Sequence, residues 1–140
     1  MLYLIMAILL FPIPSGEAEL GFTYTPETIT TYNTMEVEVT WYTSRVQETD
    51  STPFITADGS RTRDGVVAIS PDMMEWFSFG DSLYVEYLGW FEIHDIMNHR
   101  YTRSIDIWCN NHHVAFHNGR ITTNIYWGFH ETTIYHTTTK

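Results

Sequence analysis

Asp95 and Asp106 stand eleven residues apart in the stretch W-F-E-I-H-D-I-M-N-H-R-Y-T-R-S-I-D-I-W, Trp90 to Trp108, each within a short apolar segment. Two carboxylates brought together by one hairpin can divide acid and base work between them. Ser104 to Trp108 alternates, which places Ile105, Ile107 and Cys109 on one face and Asp106 with Trp108 on the other. A carboxylate beside an indole on an open sheet face suits a sugar, with Trp108 as the stacking surface. Alternation by itself fits an ordinary solvent-facing strand position at least as well. Asp95 ends its strand in phase with Phe91 and Ile93, so partial burial, with Asp106 as a like charge nearby, is expected to keep its proton in place for use as an acid.

The elements that must position these residues are strands. Aromatics make up 16% of the 140 residues, and Thr and Val are common where strong helix formers such as Ala, Lys and Gln are scarce. Segments with strand character recur at Met35–Tyr42, Val66–Ser70, Ser82–Tyr87, Trp90–Asp95, Ser104–Cys109 and Ile121–Trp127. The third and fourth flank Leu88-Gly89 and read as a hairpin. One short helix is expected after Pro71 and another over Asn111–Asn118, stopped by Gly119. About six short strands with so little helix point to a mostly-β fold, a small closed barrel, over residues 36–127. Gln47 to Gly65, dense in Asp, Ser, Thr, Pro and Gly, is too long for a turn and reads as an ordered functional loop or a flap.

The flanks have a different character. Met1 to Phe11 is apolar throughout and is followed by Pro12, Pro14 and small residues up to Ala18. That run is too short to span a bilayer as a helix. It fits a signal peptide over residues 1–18 or an uncleaved hydrophobic anchor, with a first core strand as the plainer alternative. Residues 19–35, rich in Thr and without a clear period, read as a linker, and residues 128–140 as a C-terminal tail.

Charge and motifs narrow the chemistry. Seven basic against 17 acidic residues give a net charge of -10, the wrong sign for gripping phosphate backbones, so nucleic acid is not an expected partner. The lone cysteine, Cys109, has no intramolecular partner and an inward phase that suggests a buried thiol. Seven histidines offer the rival chemistry: His113 and His117 sit four apart on the second expected helix, with His112, His94 or His99 as a third ligand. There is no H-E-x-x-H and no cysteine pair, and the expectation is of solvated histidines and no metal. Neither a G-x-S-x-G elbow nor a phosphate-cradling glycine loop occurs, and no cofactor is expected.

Taken in order, V-T-W-Y-T-S (Val39–Ser44), T-A-D-G-S-R-T-R-D-G-V-V-A-I-S (Thr56–Ser70), G-D-S-L-Y-V-E (Gly80–Glu86), F-E-I-H-D (Phe91–Asp95), S-I-D-I-W (Ser104–Trp108) and H-V-A-F-H-N-G-R (His113–Arg120) resemble the bacterial 3D domain, named for three aspartates. That family is a six-stranded double-psi β-barrel related to the catalytic barrel of the MltA type of lytic transglycosylase. Asp95 and Asp106 match its second and third aspartates, spacing included. Where the family reads V-A-V-D-P this chain has V-A-I-S-P, which puts Ser70 at the first aspartate, and Ile96–Arg100 replaces the glycine-rich segment that often follows the second. Asp95-Ile96-Met97-Asn98-His99-Arg100 is similar to the D-x-M-x-x-R of a divergent branch with serine in the first site.

The resemblance implies cleavage of the β-1,4 bond between N-acetylmuramic acid and N-acetylglucosamine in peptidoglycan, in the cell envelope or outside the cell, with a membrane met only through the N-terminal segment. Asp95 is then the acid/base, Asp106 stabilises the oxocarbenium-like transition state, and Trp108, Arg100, Arg103, Thr56 and Ser70 are the substrate-binding candidates. Arg100 and Arg103 suit the lactyl or peptide carboxylates of the substrate, and equally suit pairing with local acids. Restoring the family residue by Ser70→Asp is expected to be tolerated. The alternative is a catalytically silent double-psi barrel that binds cell-wall glycan or a protein partner.

Overall fold

The computed structural model describes residues 4–8, 17–18, 22–44, 54–111, 115 and 118–139. The described residues are mostly strand, and no helix among them reaches seven residues. The chain divides into two compact units, one of Met35–Tyr126 and one of Met1–Thr34 with Trp127–Lys140. No described helix is long and apolar enough to cross a membrane.

Eight strands lie in one sheet: β1 Leu4–Ile8, β2 Glu17–Ala18, β3 Phe22–Tyr42, β4 Val66–Ile69, β5 Ser82–Val85, β6 Gly89–Ile96, β7 Ser104–Trp108 and β8 Ile121–Thr139. Six of them close a ring in the order β3-β7-β4-β6-β5-β8, completed by pairing of β3 with β8. β3 and β7 are parallel, as are β4 and β6, while β4 and β7 between them are antiparallel. Every ring strand sends aliphatic side chains to one core: Val37 and Val39, Val66, Val67 and Ile69, Leu83 and Val85, Ile93, Ile105 and Ile107, and Ile125 are all buried. Each such side chain contributes ~1.5–3 kcal/mol of transfer free energy. β4 is buried along its whole length, as its unbroken V-V-A-I run demands of a strand with neighbours on both edges. A 3₁₀ turn, Pro71–Glu75, follows it and tucks Met73 under the ring. β5 and β6 form the expected hairpin, with Tyr87 at φ 65 in its turn.

In the other unit, β1 runs antiparallel to β3, Leu4 opposite Tyr32 and Ile8 opposite Ile29, and β2 pairs Glu17 with Thr23. The apolar start of the chain is thus strand at Leu4–Ile8. Most of the residues read as a linker belong to β3, and those read as a tail belong to β8 as far as Thr139. The reason is composition: T-I-T-T-Y-N-T and E-T-T-I-Y-H-T-T-T lack a sharp apolar period but are dense in β-branched and aromatic residues, which favour extended backbone wherever a partner strand is available. Tyr32 and Phe129 pack with ring centroids 5.6 Å apart, and His136 meets Glu27 at 2.5 Å.

Candidate functional site

Across the ring, Thr40 of β3 pairs with Asp106 of β7, Asp106 with Ala68 of β4, and Ala68 with Asp95 of β6. Residues in register share a face, so both aspartates and the Thr40 hydroxyl form one transverse row on the outer surface of the sheet. Two strand spacings set the Cα atoms of Asp95 and Asp106 about 10 Å apart. Ala68 between them has only a methyl group, which leaves the floor of the gap open. The result is a cleft of about 90 Å³ lined by Tyr42, Ala68, Asp95, Ile96, Met97, Asn98, Tyr101 and Asp106.

The phase of Asp95 differs from the expected one. Val67 pairs with Ile93, but the next residue of β4, Ala68, pairs with Asp95, so His94 is an extra residue in β6. This β-bulge carries Asp95 out of phase with Ile93, which is fully buried, and onto the face of Ala68 and Asp106. Alternation on β7 needs no such correction: Ile105 and Ile107 are buried, Asp106 and Trp108 half-buried.

Three donors fix Asp95. The Tyr42 hydroxyl reaches Oδ2 at 3.1 Å, and the backbone N–H groups of Ala57 and Ile96 reach Oδ1 at 3.0 and 2.9 Å. Asp106 accepts from the Thr40 hydroxyl at 2.8 Å. Burial pushes the Tyr42 phenol far above its ordinary range, and the negative charge of Asp95, its hydrogen bond and the charge of Asp106 push it further. Tyr42 therefore stays protonated as a donor, and the cleft it lines holds both carboxylates. Sequence reasoning passed over Tyr42, Thr40 and Tyr101. V-T-W-Y carried a usable signal for two of them, since Thr40 and Tyr42 alternate with buried Val39 as Asp106 and Trp108 alternate with Ile107.

The remaining candidates have other positions. Trp108 pairs with Tyr42 in register and donates its indole N–H to Ser44 at 3.0 Å, on the cleft's face but outside its lining. Arg100 is exposed and stacks over Tyr101 at 4.9 Å, with a guanidinium hydrogen bond to that phenol at 2.9 Å, which puts it at the rim. Arg103 adopts φ 44, a left-handed backbone, and its N–H is capped by Asp72 at 3.0 Å. Thr56 is buried, its hydroxyl shared among Asp58, Ser60 Oγ and the Ser60 carbonyl at 2.7–3.0 Å. Ser70 is fully buried, accepts from Ser104 N–H at 3.0 Å and donates to Asp72. Burial alone would raise Asp72, but the bonds from Ser70 and Arg103 N–H hold it below the usual carboxylate range. Cys109 follows β7, is half-buried rather than buried, and points its thiol to the Asn111 carbonyl. His113 and His117, and most of the helix expected around them, lie outside the described residues.

A second cluster flanks the cleft. Residues 54–62 fold back on themselves through the Ile55–Arg61 bridge, and the turn Thr56–Ser60 is pinned to β6 by Asp58 N–H to the His94 carbonyl and by His94 Nδ1 to Asp58 Oδ2 at 2.5 Å. His94 Nε2 meets Glu92 at 3.1 Å, and Arg63 pairs with Glu92. The bond to Asp58 raises His94 against the opposing effect of burial, with Glu92 adding to it. Burial would raise Asp58, but the bonds from His94, Ser60 and Thr56 outweigh it and hold the carboxyl far below its ordinary range. Among the described residues no group of three or more His, Cys, Asp or Glu is arranged to hold a metal. Comparison with known proteins finds no family model and no curated protein that matches this chain.

Proposed function

We propose that the Asp95/Asp106 cleft cleaves the β-1,4 bond between N-acetylmuramic acid and N-acetylglucosamine in peptidoglycan, as a lytic transglycosylase of the 3D kind, and that the six-stranded ring is a double-psi β-barrel. The observation that carries this reading is the convergence of the two carboxylates on either side of Ala68, in one cleft with the Tyr42 phenol that bonds Asp95. The parallel β3/β7 and β4/β6 pairs interleaved by an antiparallel one support the barrel topology.

In this mechanism protonated Asp95 gives its proton to the glycosidic oxygen as the bond to the muramyl C1 breaks. The 6-hydroxyl of the same muramyl residue attacks C1, and its proton passes to Asp95, which regenerates the acid. Tyr42 and the two backbone N–H groups orient Asp95, and Asp106 faces the positive charge that develops on the ring. Acting on such a substrate implies export from the cytoplasm.

The test is mass spectrometry of purified peptidoglycan after incubation with the protein. Anhydromuramyl products that disappear with Asp95→Asn support the mechanism, and products formed by that variant at the wild-type rate refute it. One observation favours a second reading, a silent barrel that binds glycan: Ser70, at the family's first aspartate, is fully buried and committed to Ser104 and Asp72. Absence of products with the wild-type protein gives that reading the lead.

A further inference from the structure

The outer face of β6 carries a second and larger hollow at its other end. It has a volume of about 340 Å³, and its lining includes Arg63, Asp64, Ser82, Trp90 and Glu92. Trp90 is 57% exposed, yet its ring is not loose: Tyr84, its register partner on β5, meets it edge-on at 5.5 Å and 68°, and Tyr126 packs behind Tyr84 at 6.3 Å. An indole held this way offers a flat apolar surface with little rotamer entropy left to lose on binding. Beside it Arg63 and Glu92 form an ion pair with about half of each side chain open to solvent, which fixes a guanidinium and a carboxylate at the edge of the plane. An apolar plane bordered by paired planar donors and acceptors matches a sugar ring, whose C–H face needs the first and whose hydroxyls need the second.

We propose that this hollow is an accessory glycan subsite for an uncharged N-acetylhexosamine of the strand that Asp95 and Asp106 act on, a proposal that rests on the function given above. Charge selects the neutral sugar: Asp64 and Glu92 outnumber Arg63 in the lining and the chain is at -10, so a unit bearing a lactyl carboxylate is disfavoured. Trp90 and Asp95 are five residues apart on one strand, about 15 Å, so an oligomer must span several rings to occupy both places. The subsite therefore confers a preference for long strands.

Chitohexaose, a neutral β-1,4 N-acetylglucosamine oligomer, is the probe, with binding followed by calorimetry. Trp90→Ala is expected to bind it about tenfold or more weakly than the wild type, the order expected for loss of one aromatic platform. Trp90→Phe should recover part of the affinity, and an unchanged melting temperature shows that the fold is intact. Equal affinity of wild type and Trp90→Ala overturns the subsite, as does absence of binding to the wild type. Chitohexaose binding that depends on Trp90, in a protein that yields no anhydromuramyl product, leaves the subsite standing and the catalytic reading fallen. Product formation with no Trp90-dependent binding does the reverse.

Discussion

Two neighbouring carboxylates, Asp95 and Asp58, are held by opposite means. Asp95 is gripped by neutral donors, a phenol and two backbone N–H groups, and lines a cleft. Asp58 is paired with a histidine, which is itself shared with Glu92 and through it with Arg63. Neutral donors fix a carboxyl group in place without committing it to an ion pair. An ion pair instead uses the charge to fasten one piece of chain to another, here the turn Thr56–Ser60 to β6. The difference separates a group held in an open cleft from one that fastens a turn, although both acids serve the same stretch of backbone: the turn that Asp58 fastens is the one whose Ala57 N–H reaches Asp95.

The severest way to break that comparison is to add a carboxylate with neither kind of support. Ser70→Asp places one in a fully buried site against Asp72, so the tolerance suggested by family resemblance is not expected. A destabilisation of ~3–5 kcal/mol should appear in urea unfolding, and wild-type stability in this variant would show that the site opens to water. Next comes Asp95→Asn, which keeps the shape and loses the transferable proton. Anhydromuramyl production should fall by ~10²-fold or more with little change in melting temperature, whereas Asp58→Asn should lower the melting temperature more than it lowers turnover. A reversed pattern would mean the roles are exchanged.

Tyr42→Phe removes one of three donors from Asp95 and leaves the packing. A fall in turnover of ~10-fold, with stability reduced by about 1 kcal/mol, is the expected result; unchanged kinetics would remove Tyr42 from the positioning of Asp95. The smallest effect is in pH dependence. His94 is raised above its ordinary 6.5, so its share of stability is complete below about that pH and is lost as pH rises through the raised value. Asp58 is lowered, so its share is complete above its ordinary 3.8 and is lost as pH falls through the depressed value. The fastening is strongest between those two ordinary values. The melting temperature should decline by a few degrees from pH 6 towards pH 9, and His94→Gln should flatten the decline, with a persistent slope pointing to another group.

The two aspartates were legible because their strands are short and apolar, and on β7 the alternation of Ile105, Asp106 and Ile107 told the faces apart directly. On β6 the same rule misled, because nothing in F-E-I-H-D announces that His94 has no opposite number; that is settled by the partner strand, which simple periodicity cannot see. The long strands β3 and β8 were missed at their outer ends for a related reason, since Thr-rich sequence has β propensity without a period and becomes strand through pairing. Tyr42 was hidden by distance: its hydrogen bond to Asp95 joins residues 53 apart, which only the crossing of strands brings together. Ser70 was read by family position rather than by its neighbours, and burial changed what that position can hold.

The extra residue in β6 also sets the parity of the strand. Were β6 regular with His94 kept, the imidazole would stand opposite Ala68, and Asp95 would turn toward the hydrocarbon interior while Ile96 faced the cleft. Deleting His94 would instead leave Asp95 directly after Ile93, where plain alternation sets it opposite Ala68 without a bulge. A chain one residue shorter at this point can therefore present the carboxylate as this one does, whereas a chain of the same length that lacks the bulge cannot.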